Sequence, residues 1–178
     1  MEGLMVSYKN ILEGLLGLCV GDALGVPVEF STRDKLRLCP VVDMKGFGTH
    51  NQPPGTWSDD SALVFCLTES LCEGYNLQDI ADRFVRWYEE GYWAAHEEAF
   101  DIGNSTLKAI DRIKQGVRPE CAGGKTERDN GNGSLMRILP LAFYLLRTDD
   151  ITERFNIIRD VSSITHAHLR VSVKYAIT

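Results

Sequence analysis

The chain has 178 residues, of which 44% are hydrophobic and 25% are charged. These proportions are ordinary for globular proteins and exclude a disordered or low-complexity chain, and the length predicts one domain covering residues 1–178. Nineteen Lys and Arg against 25 Asp and Glu give a net charge of −6, which argues against nucleic acid as a partner.

Helical periodicity dominates the sequence, so we predict an all-α domain. The first predicted helix covers residues 10–21, where Gly14, Gly17 and Gly21 leave a smooth face for the close approach of another helix. A long polar loop is predicted next, over residues 31–57.

Two further helices are marked by their end signals. The second predicted helix begins at residue 58 or 59, reaches residue 72 and is stopped by Gly74. Asn76 is a typical N-cap for the third helix, which Gly91 ends. A fourth helix is predicted over residues 105–115.

The C-terminal third contains a second predicted long loop, 117–133, and three more helices. One starts near Ser134 with Pro140 as a kink, and the next starts after Asp150. A last helix is predicted over 168–178, and its apolar end without a cap leads us to expect an element that continues. Two loops of this length in a helical domain are typical of functional segments.

Cysteine usage and hydropathy indicate the compartment. Five cysteines, an odd number with no C-x-x-C spacing, favour reduced thiols in a cytoplasmic protein. Continuous apolar stretches such as 15–20 and 138–146 are shorter than the roughly 20 residues of a spanning helix, and no signal peptide is evident. We therefore expect a soluble protein without a membrane partner.

The strongest chemical motif is the segment 55–61, which contains Asp59 and Asp60 between two hydroxyl side chains. One Asp in a first helical turn is explained by the helix dipole, which contributes about 0.3–1 kcal/mol. Two adjacent carboxylates repel each other, however, and a hard divalent cation takes oxygen ligands of this kind. The motif therefore suggests Mg²⁺ or Mn²⁺ as a cofactor.

Three other acidic residues have simpler interpretations when each is taken alone. Asp22 and Glu29 are more simply solvated surface acids. Asp101 is equally consistent with the N-cap of the helix that begins near Asn104.

Two C-terminal segments leave similar alternatives open. The Gly- and Asn-rich loop of segment 129–140 runs into a predicted helix, so it either presents backbone N–H groups to phosphate or is an ordinary flexible turn. His166 and His168 are more often turn or surface residues than metal ligands.

Taken together, five motifs resemble the ADP-ribosylglycohydrolase family in their order and spacing. They are G-x-x-x-GDALGVPVEF, PPGTWSDDS, FDIGNST, NGNGSLMRILPL and ITHAH, and they span the chain from about residue 11 to its end. The resemblance implies a compact all-α fold around a cleft with two divalent cations, Mg²⁺ or Mn²⁺. It also implies an enzyme that hydrolyses the bond from ribose C1″ of ADP-ribose to a protein side chain or another acceptor.

The resemblance assigns roles by position in the motifs. It implies that one of the catalytic carboxylates, named in the next sentence, orients or deprotonates the attacking water. The implied metal ligands are Ser58, Asp59, Asp60 and Glu29, and the implied catalytic residues are Glu29, Asp60 and Asp101. The implied substrate contacts are Gly103, Asn132, Gly133, Ser134 and His166.

One departure from the family pattern limits these expectations. The family has a C-terminal D-x-D-[ST] motif that completes both metal sites, and no Asp follows Asp160 here. We therefore expect a partial domain with an incomplete binuclear site. The alternatives are a truncated, non-catalytic homologue that binds ADP-ribose, a partner chain or a second copy of itself, and a structural role like that of lens crystallins, against which the intact acidic motifs argue.

Overall fold

The computed structural model describes residues 7–171, and within that range the chain forms eight complete α-helices, three short 3₁₀ turns and the start of a further helix at residues 169–171. Extended pairing in this range is confined to a single bridge between Gly124 and His166. The prediction of an all-α fold is confirmed. The helices are α1 (Tyr8–Gly25), α2 (Arg33–Leu38), α3 (Asp59–Glu73), α4 (Leu77–Glu90), α5 (Asn104–Lys114), α6 (Pro119–Ala122), α7 (Leu139–Tyr144) and α8 (Ile151–Ser163).

The core is built around α3, which packs against α1, α4 and α7. Leu63 and Leu67 of α3 are fully buried together with Phe84 of α4 and Ile110 of α5. Each such side chain contributes roughly 1.5–3 kcal/mol when it leaves water. This burial fixes the N-terminus of α3, and therefore the position of the paired acids that begin it.

Several predicted helix ends are confirmed. The Asn76 side chain accepts hydrogen bonds from the backbone N–H groups of Gln78 and Asp79, and Gly91 caps the other end of α4. Asp150 caps α8 in the same way as Asn76 caps α4. These signals are local in sequence, so tertiary packing does not change them.

The first helix is longer than predicted, and its glycines behave differently from one another. It begins at Tyr8 because Ser7 forms a capping box with Asn10. A Cβ at Gly14 would lie 2.9 Å from the Phe143 ring of α7, so close packing occurs there. At Gly17 and at Gly21 no described atom lies within 4 Å of the Cβ position, so the predicted close approach is wrong at both.

Other boundaries also differ from prediction. Residues 134–137 form turns and α7 begins only at Leu139, because Pro140 fits the first helical turn and cannot lie within a longer helix. Each predicted long loop contains a short helix, α2 in the first and α6 in the second. Of the predicted last helix, residues 172–178 lie outside the described range.

One segment contradicts the expectation about membrane-spanning length. The segment Tyr8–Val28 has 21 residues and a mean hydropathy of 1.7. By length and composition alone, it is long and apolar enough to cross a membrane. Glycines divide this segment into short apolar stretches, although the segment as a whole remains apolar. Asp22, in the same segment, is hydrogen-bonded to the start of α3, which ties the helix to the rest of the domain.

Candidate functional site

An acidic cleft of about 430 Å³ lies where α1 ends, α3 begins and the chain approaches α5. No Lys or Arg is among the described residues that line it. The polar side chains of this acidic cleft are those of Asp22, Glu29, Ser58, Asp60 and Asp101.

Asp22 joins α1 to the N-terminus of α3. Its carboxylate accepts hydrogen bonds from the backbone N–H and hydroxyl of Ser58, at 3.0 and 2.7 Å. It accepts two more from the N–H and hydroxyl of Ser61, at 3.1 and 2.6 Å. The interpretation of Asp22 as a solvated surface acid is therefore wrong, and its structural role was missed.

The paired acids at the start of α3 differ in environment. Asp59 is only 6% exposed, and no described residue donates a hydrogen bond to its carboxylate. Burial, followed by the charges of Asp60 and Asp101, raises the pKa of Asp59 to about 9. Asp60 lines the cleft, where burial and then the charges of Asp22 and Glu29 raise its pKa to about 6. Removing charge from Asp59, or adding a cation beside it, would relieve an unfavourable buried carboxylate.

Glu29 and Asp101 face each other across His50. Nε2 of His50 lies 2.6 Å from Oε2 of Glu29 and 3.7 Å from Oδ1 of Asp101. Burial, and then a hydrogen bond and the charge of Glu29, raises the pKa of Asp101 to about 6. Glu29 is partly buried in this cluster, so the interpretation of it as a solvated surface acid is also wrong.

The capping interpretation of Asp101 does not hold either. The N-cap of α5 is Gly103, and the helix has no side-chain cap. Asp101 instead has a φ of 58°, in the left-handed region that few non-glycine residues adopt. The chain therefore turns sharply at Asp101 and directs it towards Glu29 rather than along α5.

The donor atoms of the acidic cleft are suited to a hard divalent cation. Glu29 and Asp60 supply carboxylate oxygens, with Asp59 adjacent to them and the hydroxyl of Ser58 at the start of α3. Oxygen donors of this kind fit Mg²⁺ and Mn²⁺. Glu29, His50 and Asp101 also place one ligand atom each within 4.8 Å of one another. The residues therefore fit a metal, but they do not specify which one.

A second group of site candidates lies on the loop before α7. His166 is 4% exposed, and a Cβ at Gly133 would lie 2.7 Å from its Cε1 atom, so glycine is required at that position. Ser134 is fully buried, with its hydroxyl 2.9 Å from that of Ser162. The whole residue therefore belongs to the core, where it supports the loop before α7. Asn132 is exposed.

His166 is held by a chain of hydrogen bonds that sequence reasoning missed. Buried Arg137 donates from Nη2 to the Thr165 hydroxyl at 2.7 Å, and that oxygen lies 2.8 Å from Nδ1 of His166. Burial, and then the charge of Arg137, lowers the pKa of His166 to about 4. The ring is therefore neutral near pH 7, and the interpretation of His166 as a surface residue is wrong.

The structure thus divides the predicted site residues into two groups. Glu29, Ser58, Asp60 and Asp101 line one cleft, with Asp59 beside it and Gly103 exposed two residues beyond Asp101. Asn132, Gly133, Ser134 and His166 do not line that cleft. His50 and Asp22 were missed because nothing in their local sequence indicates the distant residues that they contact.

Comparisons with known proteins identify the family of the chain. A family model described as ADP-ribosylglycohydrolase matches residues 6–177. A protein described as ADP-ribosylarginine hydrolase Tri1, from Serratia proteamaculans (strain 568), is 38% identical over 135 residues, which cover 73% of this chain and 35% of that protein. An ADP-ribosyl-[dinitrogen reductase] glycohydrolase from Rhodospirillum rubrum is 32% identical over 144 residues, which cover 78% of this chain and 46% of that protein.

A solved structure described as an ADP-ribosylglycohydrolase-related protein complex has the same fold. It superimposes with a TM-score of 0.73 at 34% identity, over 94% of this chain and 52% of that chain. The chain therefore spans between about a third and about a half of the length of these similar proteins.

Proposed function

Because the chain belongs to the ADP-ribosylglycohydrolase family, we propose that its acidic cleft takes part in the hydrolytic removal of ADP-ribose from a protein side chain. The observation that carries the proposal is the convergence of Glu29, Asp60 and Asp101 in a cleft without a described Lys or Arg. Carboxylates in such a cleft stabilise the positive charge that develops on a ribose ring as its C1″ bond breaks.

The carboxylates have distinct roles in this proposal. Asp60 and Asp101 each have a pKa raised to about 6, so each can hold or release a proton near neutral pH. A carboxylate of this kind orients a water molecule towards C1″ and accepts its proton as the bond to the acceptor breaks. Glu29, hydrogen-bonded to His50, places a carboxyl group beside the ribose.

A divalent cation completes this chemistry. Glu29, Ser58, Asp59 and Asp60 would hold Mg²⁺ or Mn²⁺, and a cation bound there would supply positive charge for orienting the ribose and activating water. The burial of Asp59 among other acids, which raises its pKa, supports a cation at this position. We expect the affinity of this chain for either cation to be weak, because these residues are the only ligands we assign.

The loop at residues 131–133 is the proposed binding segment for the diphosphate. It rests on the neutral ring of His166, and Gly133 leaves room for that contact. Backbone N–H groups of a glycine-rich loop can bind phosphate oxygens. The substrate contacts then come from Asn132, Gly133 and the exposed Gly103, while the buried Ser134 supports the loop from the core.

A second candidate is suggested by exposed apolar surface. An apolar groove of about 550 Å³ lies between α7 and α8, and Leu12, Leu16 and Val20 of α1 are also exposed. Large apolar patches mark sites where proteins associate. In this alternative the chain binds ADP-ribose without hydrolysing it, or acts only with a complementing chain or a second copy.

All five cysteines are free thiols, which supports a cytoplasmic location.

The test is a substrate panel. The chain is incubated with proteins carrying ADP-ribose on arginine or on serine, with excess Mn²⁺ or Mg²⁺ and with EDTA. We expect release of ADP-ribose from the arginine-linked substrate, because two similar proteins are described as ADP-ribosylarginine hydrolases, and loss of release with EDTA. Binding of ADP-ribose without release favours the second candidate. The absence of both release and binding would overturn the proposal.

A further inference from the structure

A histidine outside every motif occupies the centre of the carboxylate cluster. The His50 side chain is 17% exposed, and its Nε2 lies between Oε2 of Glu29 and Oδ1 of Asp101, at 2.6 and 3.7 Å. We assign the donor role in this hydrogen bond to the Nε2–H group of His50, with the Glu29 oxygen as the acceptor. One ring nitrogen therefore faces both acids.

Two aromatic side chains lie beside the ring of His50. Its centroid lies 6.2 Å from that of Phe30 and 5.5 Å from that of Phe100. These two aromatic residues directly follow Glu29 and precede Asp101. The segments that carry the two acids therefore also supply the aromatic neighbours of His50.

The backbone next to His50 is fixed to the segment that carries Glu29. Thr49 donates from its N–H to the carbonyl of Pro27 at 3.1 Å, and from its hydroxyl to the carbonyl of Glu29 at 2.7 Å. Gly48 lies against the backbone of Pro27 so closely that no Cβ could be placed there. The two residues that precede His50 are therefore docked on the backbone around Glu29.

We infer that His50 is a positioning residue, which fixes the carboxylate of Glu29 and holds Asp101 next to it. The inference rests on the proposed function, in which both acids act on the ribose. A glutamate side chain has several rotatable bonds, and a hydrogen bond to one of its oxygens selects one orientation and leaves the other oxygen available. Asp101 is itself hydrogen-bonded to Glu29, and the same ring nitrogen lies 3.7 Å from its Oδ1 atom.

Two substitutions separate this role from simple packing. His50→Phe keeps a ring between Phe30 and Phe100 but removes the N–H donor. His50→Gln loses the ring but keeps an N–H donor at similar reach. A packing role predicts that the Phe variant is the milder change, whereas positioning predicts that the Gln variant is the milder change. His168→Gln serves as the matched control, because His168 contacts Glu127 and not the cleft.

The first measurement needs neither metal nor substrate. Carbon-13 NMR of the side-chain carboxylates, recorded with EDTA and assigned with Glu29→Gln, reports the environment of Glu29. We expect a narrow Glu29 signal distinct from those of exposed glutamates, which moves to the exposed position in His50→Phe and remains in His50→Gln and His168→Gln. An unchanged Glu29 signal in His50→Phe would overturn the inference.

The second measurement is kinetic. Loss of a hydrogen-bonding partner behind a functional carboxylate typically costs about 10–100-fold in activity, so kcat of His50→Phe should fall by that factor with little change in KM. His50→Gln should recover most of the loss, and His168→Gln should match the unchanged chain. Greater loss in His50→Gln than in His50→Phe would overturn the inference. If the unchanged chain releases no ADP-ribose, the proposed function fails and the NMR result alone decides the role of His50.

Discussion

Replacing Asp59 with Asn should stabilise the metal-free chain at neutral pH. Asp59 is 6% exposed, and no described residue donates a hydrogen bond to its carboxylate. Its pKa is raised from 3.8 to about 9, first by burial and then by neighbouring acids. Asn has nearly the same shape and cannot ionise, so it removes the cost of keeping a carboxylate in this position.

The size and sign of the effect follow from proton linkage. Because the pKa of Asp59 is higher in the folded chain, the folded chain binds this proton more tightly than the unfolded chain. The resulting contribution to the free energy of unfolding is fully present below pH 3.8 and is lost as pH rises towards about 9. The interval from pH 3.8 to pH 7 is about three units, and each unit changes the free energy of unfolding by about 1.4 kcal/mol. The stability that the chain loses through Asp59 by pH 7 is therefore at most about 4 kcal/mol. Since the Asn amide must also be hydrogen-bonded, we expect a net gain of about 1–3 kcal/mol.

Urea unfolding with EDTA, at about pH 5 and about pH 8, measures this difference. The advantage of Asp59→Asn over the unchanged chain should be larger at the higher pH. Asp111→Asn, an exposed position on α5, is the matched control and should change stability little at either pH. A destabilised Asp59→Asn chain, or an advantage that does not grow with pH, would refute the reasoning.

Three further substitutions probe other parts of the structure. Asp22→Asn should lower the free energy of unfolding by about 2–4 kcal/mol in urea, because the hydrogen bonds from Ser58 and Ser61 lose their charged acceptor; no loss would contradict that role. The folded-state pKa of His166 is lowered from 6.5 to about 4, so the chain should lose stability as pH falls from 6.5 to about 4. In His166→Gln the unfolding midpoint should fall less over the same pH range. Leu16→Glu should reduce self-association in sedimentation, because Leu16 is exposed on an apolar face of α1; a monomeric unchanged chain would contradict this.

The helices that could be predicted are those whose ends are marked locally. Asn76 and Gly91 act through atoms within a few residues of themselves, so their roles follow from sequence alone. The start of α7 could not be predicted in the same way. Apolar residues from 135 onwards continue the helical pattern, but Pro140 is accommodated only when the helix begins at Leu139.

The acidic site was predictable to the extent that its members are neighbours in sequence. Asp59 and Asp60 are adjacent at the start of a helix, and repulsion between them already suggests a cation. Asp22 bonds Ser58 across 36 positions, and His50 contacts Glu29 across 21 positions. Contacts of that separation depend on how the helices pack, and one sequence does not encode them in any local pattern.

The central claim is that the acidic cleft carries out removal of ADP-ribose, and the rate of ADP-ribose release from an arginine-linked protein tests it most directly. With Mn²⁺, Asp60→Asn should lower kcat/KM by about 10²–10⁴-fold, the range expected for loss of a general base. Asp111→Asn should leave the rate unchanged, and EDTA should abolish release in the unchanged chain. Full activity in Asp60→Asn, or release that is insensitive to EDTA, would contradict the account.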